Sequence, residues 1–239
     1  MKIDLFIPCF IDQFRPQTGF NIVKVLEKAG CKVNYNTEQT CCGLPAFNAG
    51  HWDEAFEVGE KLLKEITPDR NLVCASSACV GMIRNSYDLL FQNSSYHNRF
   101  RQLQQKTFEL SEFLVDVMKV ENVGSKMSGK AVYMDTCTAL NDCKIKQQPR
   151  TLLKNVEGLE LIDFEKQDEC CGFGGNFSLN NPELSVHLGN KKIEYIQATN
   201  AAYIISTDFS CLMHLEAIIN KRNLNLTVLH IADVLAEGI

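Results

Sequence analysis

The chain has 239 residues, 45% of them hydrophobic, enough to bury a real core as one large domain or two small ones. Its charges are mixed in sign and sum to −5, and no Lys/Arg cluster stands out, which argues against nucleic acid as a partner. No apolar run approaches the roughly 18–20 residues of a membrane helix, and Met1–Phe10 is too short and too broken by Asp4 for a secretory signal, so a cytoplasmic location is expected.

Short apolar runs alternate with helical patterns along the chain. Residues 3–7 (IDLFI) read as a strand. Residues 19–29 carry apolar side chains at helical spacing, Phe20, Val23 and Leu26 among them, and Gly30 can end that helix. A helix at 54–66, a strand at 71–75 and a helix at 79–91 follow. Residues 92–106 are polar and read as a loop or an exposed helix, and Val123–Lys130 (VGSKMSGK) reads as a linker. Beyond it come strand 131–135, helix 148–155, strand 159–164, helix 183–198, strand 202–206, helix 211–221 and strand 226–230. This alternation predicts an α/β fold with largely parallel sheets.

Eleven cysteines are the outlier in the composition. A disulfide framework suits short secreted chains with an even count, and neither condition holds. Buried thiols that pack as small hydrophobes are a second reading, suited to Cys31, Cys74 and Cys143. Ligation of a metal or cluster is the third, and the spacing favours it. Cys41-Cys42-Gly43 recurs as Cys170-Cys171-Gly172 after 129 positions, Cys9 recurs as Cys137 after 128, and Cys79 as Cys211 after 132. The halves also close alike, FELSEFLVDV from Phe108 against VLHIADVLAE from Val228. The chain therefore divides into two pseudo-equivalent repeats, 1–128 and 129–239, which can still pack as one globular unit.

Parallel α/β units carry functional groups in loops after their strands. That placement lets four cysteines converge in each repeat: Cys9, Cys41, Cys42 and Cys79, then Cys137, Cys170, Cys171 and Cys211. Four thiolates are the common ligand set of iron–sulfur clusters. Gly43 and Gly172 ease the irregular turn that lets adjacent cysteines face one group, and Gly174 and Gly175 let backbone approach it. Four thiolates also suit zinc, which could replace a lost cluster, although the tight Cys-x2-Cys pairs of structural zinc sites are absent. GFGG at 172–175 matches no nucleotide-binding fingerprint. Among the histidines, His214 stands one helical turn after Cys211, as an extra ligand or a donor supporting the site.

Four segments, CCGLPAFNAG at 41–50, LLKNVEGLEL at 152–161, CCGFGGNFS at 170–178 and SCLMHLEA at 210–217, resemble the cysteine-rich CCG-domain family. That family includes the cysteine-rich subunit of heterodisulfide reductase, the glycolate oxidase iron–sulfur subunit and lactate-utilisation proteins, and the resemblance leans to the last of these. It implies an iron–sulfur electron-transfer subunit of an oxidoreductase complex, with the eight repeated cysteines holding one or two 4Fe-4S clusters. It also implies a ferredoxin-like iron–sulfur partner, a third lactate-utilisation subunit and a 2-hydroxy acid such as L-lactate as the electron source. Where the heterodisulfide reductases continue with Cys-x-x-Cys, this chain has Met82 after Cys79 and His214 after Cys211, which puts heterodisulfide chemistry in doubt. Two other functions compete: a thiol–disulfide reductase, disfavoured by Glu38, Asp168 and Glu169 beside the paired cysteines, and a zinc-stabilised binding scaffold.

Overall fold

The computed structural model describes residues 1–239 and contains two four-stranded sheets. The first has order β2-β1-β3-β4, from β1 (Lys2–Phe6), β2 (Lys32–Tyr35), β3 (Asn71–Cys74) and β4 (Thr107–Glu109). The second has order β6-β5-β7-β8, from β5 (Lys126–Tyr133), β6 (Glu157–Ile162), β7 (Tyr203–Ser206) and β8 (Thr227–His230). Every pairing is parallel, so the two matched α/β sheets expected from the alternating pattern are present.

Two local readings need correction. Val123–Lys130 is not a slack linker, because Lys126–Lys130 already belongs to β5 and pairs with β6 from Lys126↔Glu157 onward. Its small and charged residues fit a strand end with alternating partial exposure. In the helix Pro16–Lys28 the buried stripe is Thr18, Ile22, Val25 and Leu26, whereas Phe20 is 69% exposed. Phe20 stands two residues from Ile22, roughly 200° around the helix, so the two cannot share a face. The polar stretch 92–106 contains the helix His97–Lys106, which buries only Phe100 and Leu103.

The period-2 alternation of the strands directs two cores. In β1 and the residue after it, Ile3, Leu5 and Ile7 face a large cluster of 39 buried residues that also takes Ala131–Met134 and Ile204–Ile205 of the second sheet. Phe6, with Leu72 and Cys74, faces a smaller cluster built mainly under Tyr87, Phe91 and Phe100. The larger core thus joins the halves.

The closing helix of each half lies on the first long helix of the other. Ile231–Ala236 packs on Pro16–Lys28, where Asp233 accepts from Thr18 Oγ1 (3.1 Å) and Asn21 Nδ2 (2.9 Å). Correspondingly, Leu110–Glu112 and the π-helical turn Phe113–Val117 pack on Gln147–Lys154. The repeated closing segments are therefore exchanged arms.

Glu109 and His230 end the fourth strand of each sheet, and each caps the helix that follows. His230 is buried; its Nε2–H donates to Ala75 O (3.1 Å) and Thr207 O (3.0 Å), and its Nδ1 accepts from Ala232 N–H. Burial holds its pKa low. Glu109 is fully buried, with Oε2 capping Ser111 and Glu112 and Oε1 unpartnered. Burial raises its pKa to about 7. A carboxyl with a raised folded pKa binds more protons folded than unfolded, so Glu109 withdraws stability as pH rises from about 4.5 to about 7. His230 acts in the opposite sense, withdrawing stability as pH falls through the ordinary histidine range. Glu109→Gln is therefore expected to gain on wild type by an amount on the order of 3 kcal/mol between pH 5 and 8. Urea midpoints at the two pH values measure this; parallel pH profiles would refute it.

Candidate functional site

Because β1, β2 and β3 run parallel, their following loops open on one edge of the sheet, and so do those of β5, β6 and β7. Cys9 begins the helix Cys9–Phe14 just after β1. Cys41 and Cys42 lie in the loop after β2, and Cys79 sits in the helix Ser77–Gly81 after β3, whose cap Ser76 accepts from the Cys79 N–H. In the second half Cys137 caps the π-helical turn Thr138–Cys143, Cys170 and Cys171 follow β6, and Cys211 lies in the helix Phe209–Lys221.

The two Cys-Cys-Gly turns share one geometry. Gly43 has φ +86° and donates its N–H to Cys41 Sγ at 3.4 Å; Gly172 has φ +91° and donates to Cys170 Sγ at 3.3 Å. Each glycine presses on the next helix. A Cβ on Gly43 would lie 3.1 Å from Ala55 O, and one on Gly172 only 2.4 Å from Ser185 O. Glycine supplies both the left-handed conformation and the close approach.

Within each set the thiols interact as a chain. The sulfurs of Cys9 and Cys41 are 3.7 Å apart. Cys42 and Cys9 both bond Cys41 and, with the Gly43 N–H, hold its pKa down to about 3; Cys9 and Cys42 are raised in return. The second set repeats this: Cys137, Cys171 and the Gly172 N–H hold Cys170 at about 2, and Cys137 and Cys171 are raised, the latter also by Cys211. Cys79 is bonded by Cys42, which pulls it down, but Cys74 and burial outweigh this and push it up. The first cysteine of each pair is thus the sulfur on which the other thiols and the glycine N–H of its set converge.

The family model for the CCG cysteine-rich domain matches residues 3–84 and again 131–216. The chain belongs to the cysteine-rich CCG-domain family. It is 38% identical over 236 residues to Lactate utilization protein A of Geobacillus sp. (strain WCH70), covering 98% of this chain and 99% of that one. It is 35% identical over 240 residues to Lactate utilization protein A 2 of Bacillus cereus (strain Q1), covering 100% and 99%. A crystal structure of a hypothetical protein from Helicobacter pylori shares the fold with TM-score 0.57 and 13% identity; the match covers 100% of this chain and 49% of that one.

The two CCG repeats face a common cavity of about 530 Å³, lined by Cys9, Cys41, Cys42 and Cys79 from one side and Cys137 and Cys211 from the other. Its glycine-rich wall includes Gly174 (φ +50°) and Gly175 (φ +57°). Asp208 also lines it, although only 1% exposed. The Asp208 carboxylate accepts from Ser76 Oγ (2.7 Å), Ser77 Oγ and the Ala78 N–H (3.1 Å) of the first half, and from Thr136 Oγ1 (2.5 Å) and Thr138 Oγ1 (2.9 Å) of the second. It ties the two repeats together between their cysteine sets.

His214 donates its Nε2–H to Ser185 O at 3.3 Å, while Ser185 Oγ donates to Gly172 O at 2.7 Å. Burial lowers its pKa, so the neutral ring braces the second Cys-Cys-Gly turn through the helix Pro182–Gln197. Beneath Cys137, Arg150 grips Asp135 with two hydrogen bonds of 2.8 and 2.7 Å.

Three residues of the site escape a count of repeated cysteines. Cys74, which reads as packing alone, stands beside Cys79 as a fifth thiol of the first set. Asp208 and the buried Lys192 have no charged counterparts in the first half. Aligning the repeats brings out Asp208, since Ser76 stands three residues before Cys79 and Asp208 three before Cys211.

Proposed function

We propose that this chain is the iron–sulfur electron-transfer subunit of a lactate-oxidising system, one that carries electrons away as L-lactate becomes pyruvate. The observation that carries the proposal is the pair of matched four-cysteine sets, six of whose eight thiols line one cavity. Cys9, Cys41, Cys42 and Cys79 would hold one 4Fe-4S cluster, and Cys137, Cys170, Cys171 and Cys211 a second. The donor chemistry fits: all-thiolate sets, with glycine N–H groups already directed at sulfur. When bound, such a cluster supplies one-electron storage and release.

The chain's own residues hold and insulate. Gly43 and Gly172 fix the turns and donate to the anchoring sulfurs, Asp208 fixes the spacing of the halves, and aromatic side chains Phe10, Phe173 and Phe209 form apolar walls of the space between. No side chain here is assigned to proton abstraction from lactate; that step falls to a partner. The full-length likeness to proteins named for lactate utilization supports the lactate role; its proposed partners are a ferredoxin-like iron–sulfur subunit and a third lactate-utilisation subunit, in the cytoplasm. No helix is long and apolar enough to cross a membrane. The test is anaerobic purification with iron, sulfide and EPR analysis. About eight irons and eight sulfides per chain are expected; protein that retains and reconstitutes no iron would end the proposal.

A further inference from the structure

The helices that press on the two Cys-Cys-Gly turns can be aligned by their contacts. Ala55 and Ser185 offer the carbonyls that meet Gly43 and Gly172, and four residues on, both helices have a glycine, Gly59 and Gly189. Seven residues on, the helices diverge. The first has Leu62, 3% exposed in the smaller core; the second has Lys192, 2% exposed.

A buried ammonium is costly unless compensated by negative charge. Lys192 Nζ donates to Lys166 O and Gln167 O, both at 3.0 Å, in the loop leading to Cys170, and lies 5.4 Å from the centre of the Phe164 ring. It has no carboxylate partner: Asp135 is taken by Arg150, and Glu169 by Lys166. Burial lowers the Lys192 pKa, and the negative charge of Cys171, then of Glu169, Asp168 and Asp135, opposes that shift; the ammonium also acts on Cys170. The first set has no cation so placed.

We infer that Lys192 is a positioning residue that makes the two sites electrically unequal: its buried charge stabilises the reduced, more anionic state of the group held by the second cysteine set, and of that group alone. This rests on the proposed cluster ligation. A thiolate-bound cluster gains one negative charge on reduction, and a fixed positive charge nearby favours that state and raises the midpoint potential. Dehydrated by its surroundings, Lys192 is screened far less than a surface lysine. An electron supplied to the pair by a reductant such as dithionite is held at the second site more tightly than it would be without Lys192.

The experiment is an EPR-monitored redox titration of the full chain with Lys192→Gln and Lys192→Arg, beside iron determination. Glutamine keeps a donor for the loop carbonyls and removes the charge; arginine keeps the charge. The expected result is a downward shift of one of two midpoints in K192Q, the other unmoved, and wild-type values in K192R. Full iron content with both midpoints unchanged in K192Q would overturn the inference, as would an equal shift of both, or a shift in K192R as large as in K192Q. Wild-type protein without clusters would instead refute the ligation, which the iron determination registers separately.

Discussion

Gly172→Ala is expected to cost about 2–5 kcal/mol of stability, summing a left-handed backbone penalty and an overpacking penalty, and to empty the second cysteine set of iron. At φ +91° an alanine is strained, and its Cβ would meet Ser185 O at 2.4 Å and Leu188 Cβ at 3.0 Å. Ser185 O is backbone inside a helix and already accepts from His214, so it cannot yield without moving the helix that braces the turn. Gly43→Ala provides the internal control. Its Cβ would stand 3.1 Å from Ala55 O, a contact relieved by a small shift, so the cost falls to the conformational part, about 1–2 kcal/mol. Thermal unfolding and iron content of the two variants decide the matter. Equal, small effects would contradict a tight turn at the second site.

Asp208→Ala is expected to cost on the order of 2–4 kcal/mol, because it strands buried donors that a charged acceptor now satisfies. Ser77, Thr136 and Thr138 can bond one another, being already 2.8–3.3 Å apart. The Ala78 N–H and Ser76 hydroxyl lose their acceptor. Since the donors come from both halves, the loss falls on the contact between the repeats and on the distance between their sulfurs. Asp168→Ala, at an exposed position beside the cysteine pair, should leave the urea midpoint nearly unchanged. If D208A were as mild as D168A, the buried carboxylate would not be what joins the halves.

The cysteine sets are legible in the sequence because spacing, strand order and loop position obey the same rule. A parallel strand delivers its next loop to one edge, so Cys9, Cys41 and Cys79 converge whatever lies between them. The glycines are legible for a similar reason, since an adjacent cysteine pair needs a turn that only glycine enters freely. What stays hidden is whatever depends on neighbours remote in sequence. Asp208 meets Ser76 from 132 positions away, and nothing in DFSC announces that Thr136 and Thr138 complete its shell. Lys192 reads as an ordinary surface lysine in KKIEY until the loop at 166–167 covers it. The start of β5 reads as a linker because strand ends can be polar, and Phe20 reads as core because helical spacing permits more than one stripe.

The central claim is that each repeat holds its own cluster through its own cysteines. The most direct measurement is iron and sulfide per chain in anaerobically prepared wild type, Cys41→Ser/Cys42→Ser, Cys170→Ser/Cys171→Ser and the fourfold variant. Two independent clusters predict about half the wild-type iron in each pair variant, with a different EPR signal surviving in each, and none in the fourfold variant. Iron that is unchanged in both pair variants, or a fourfold variant that still carries it, would contradict the claim.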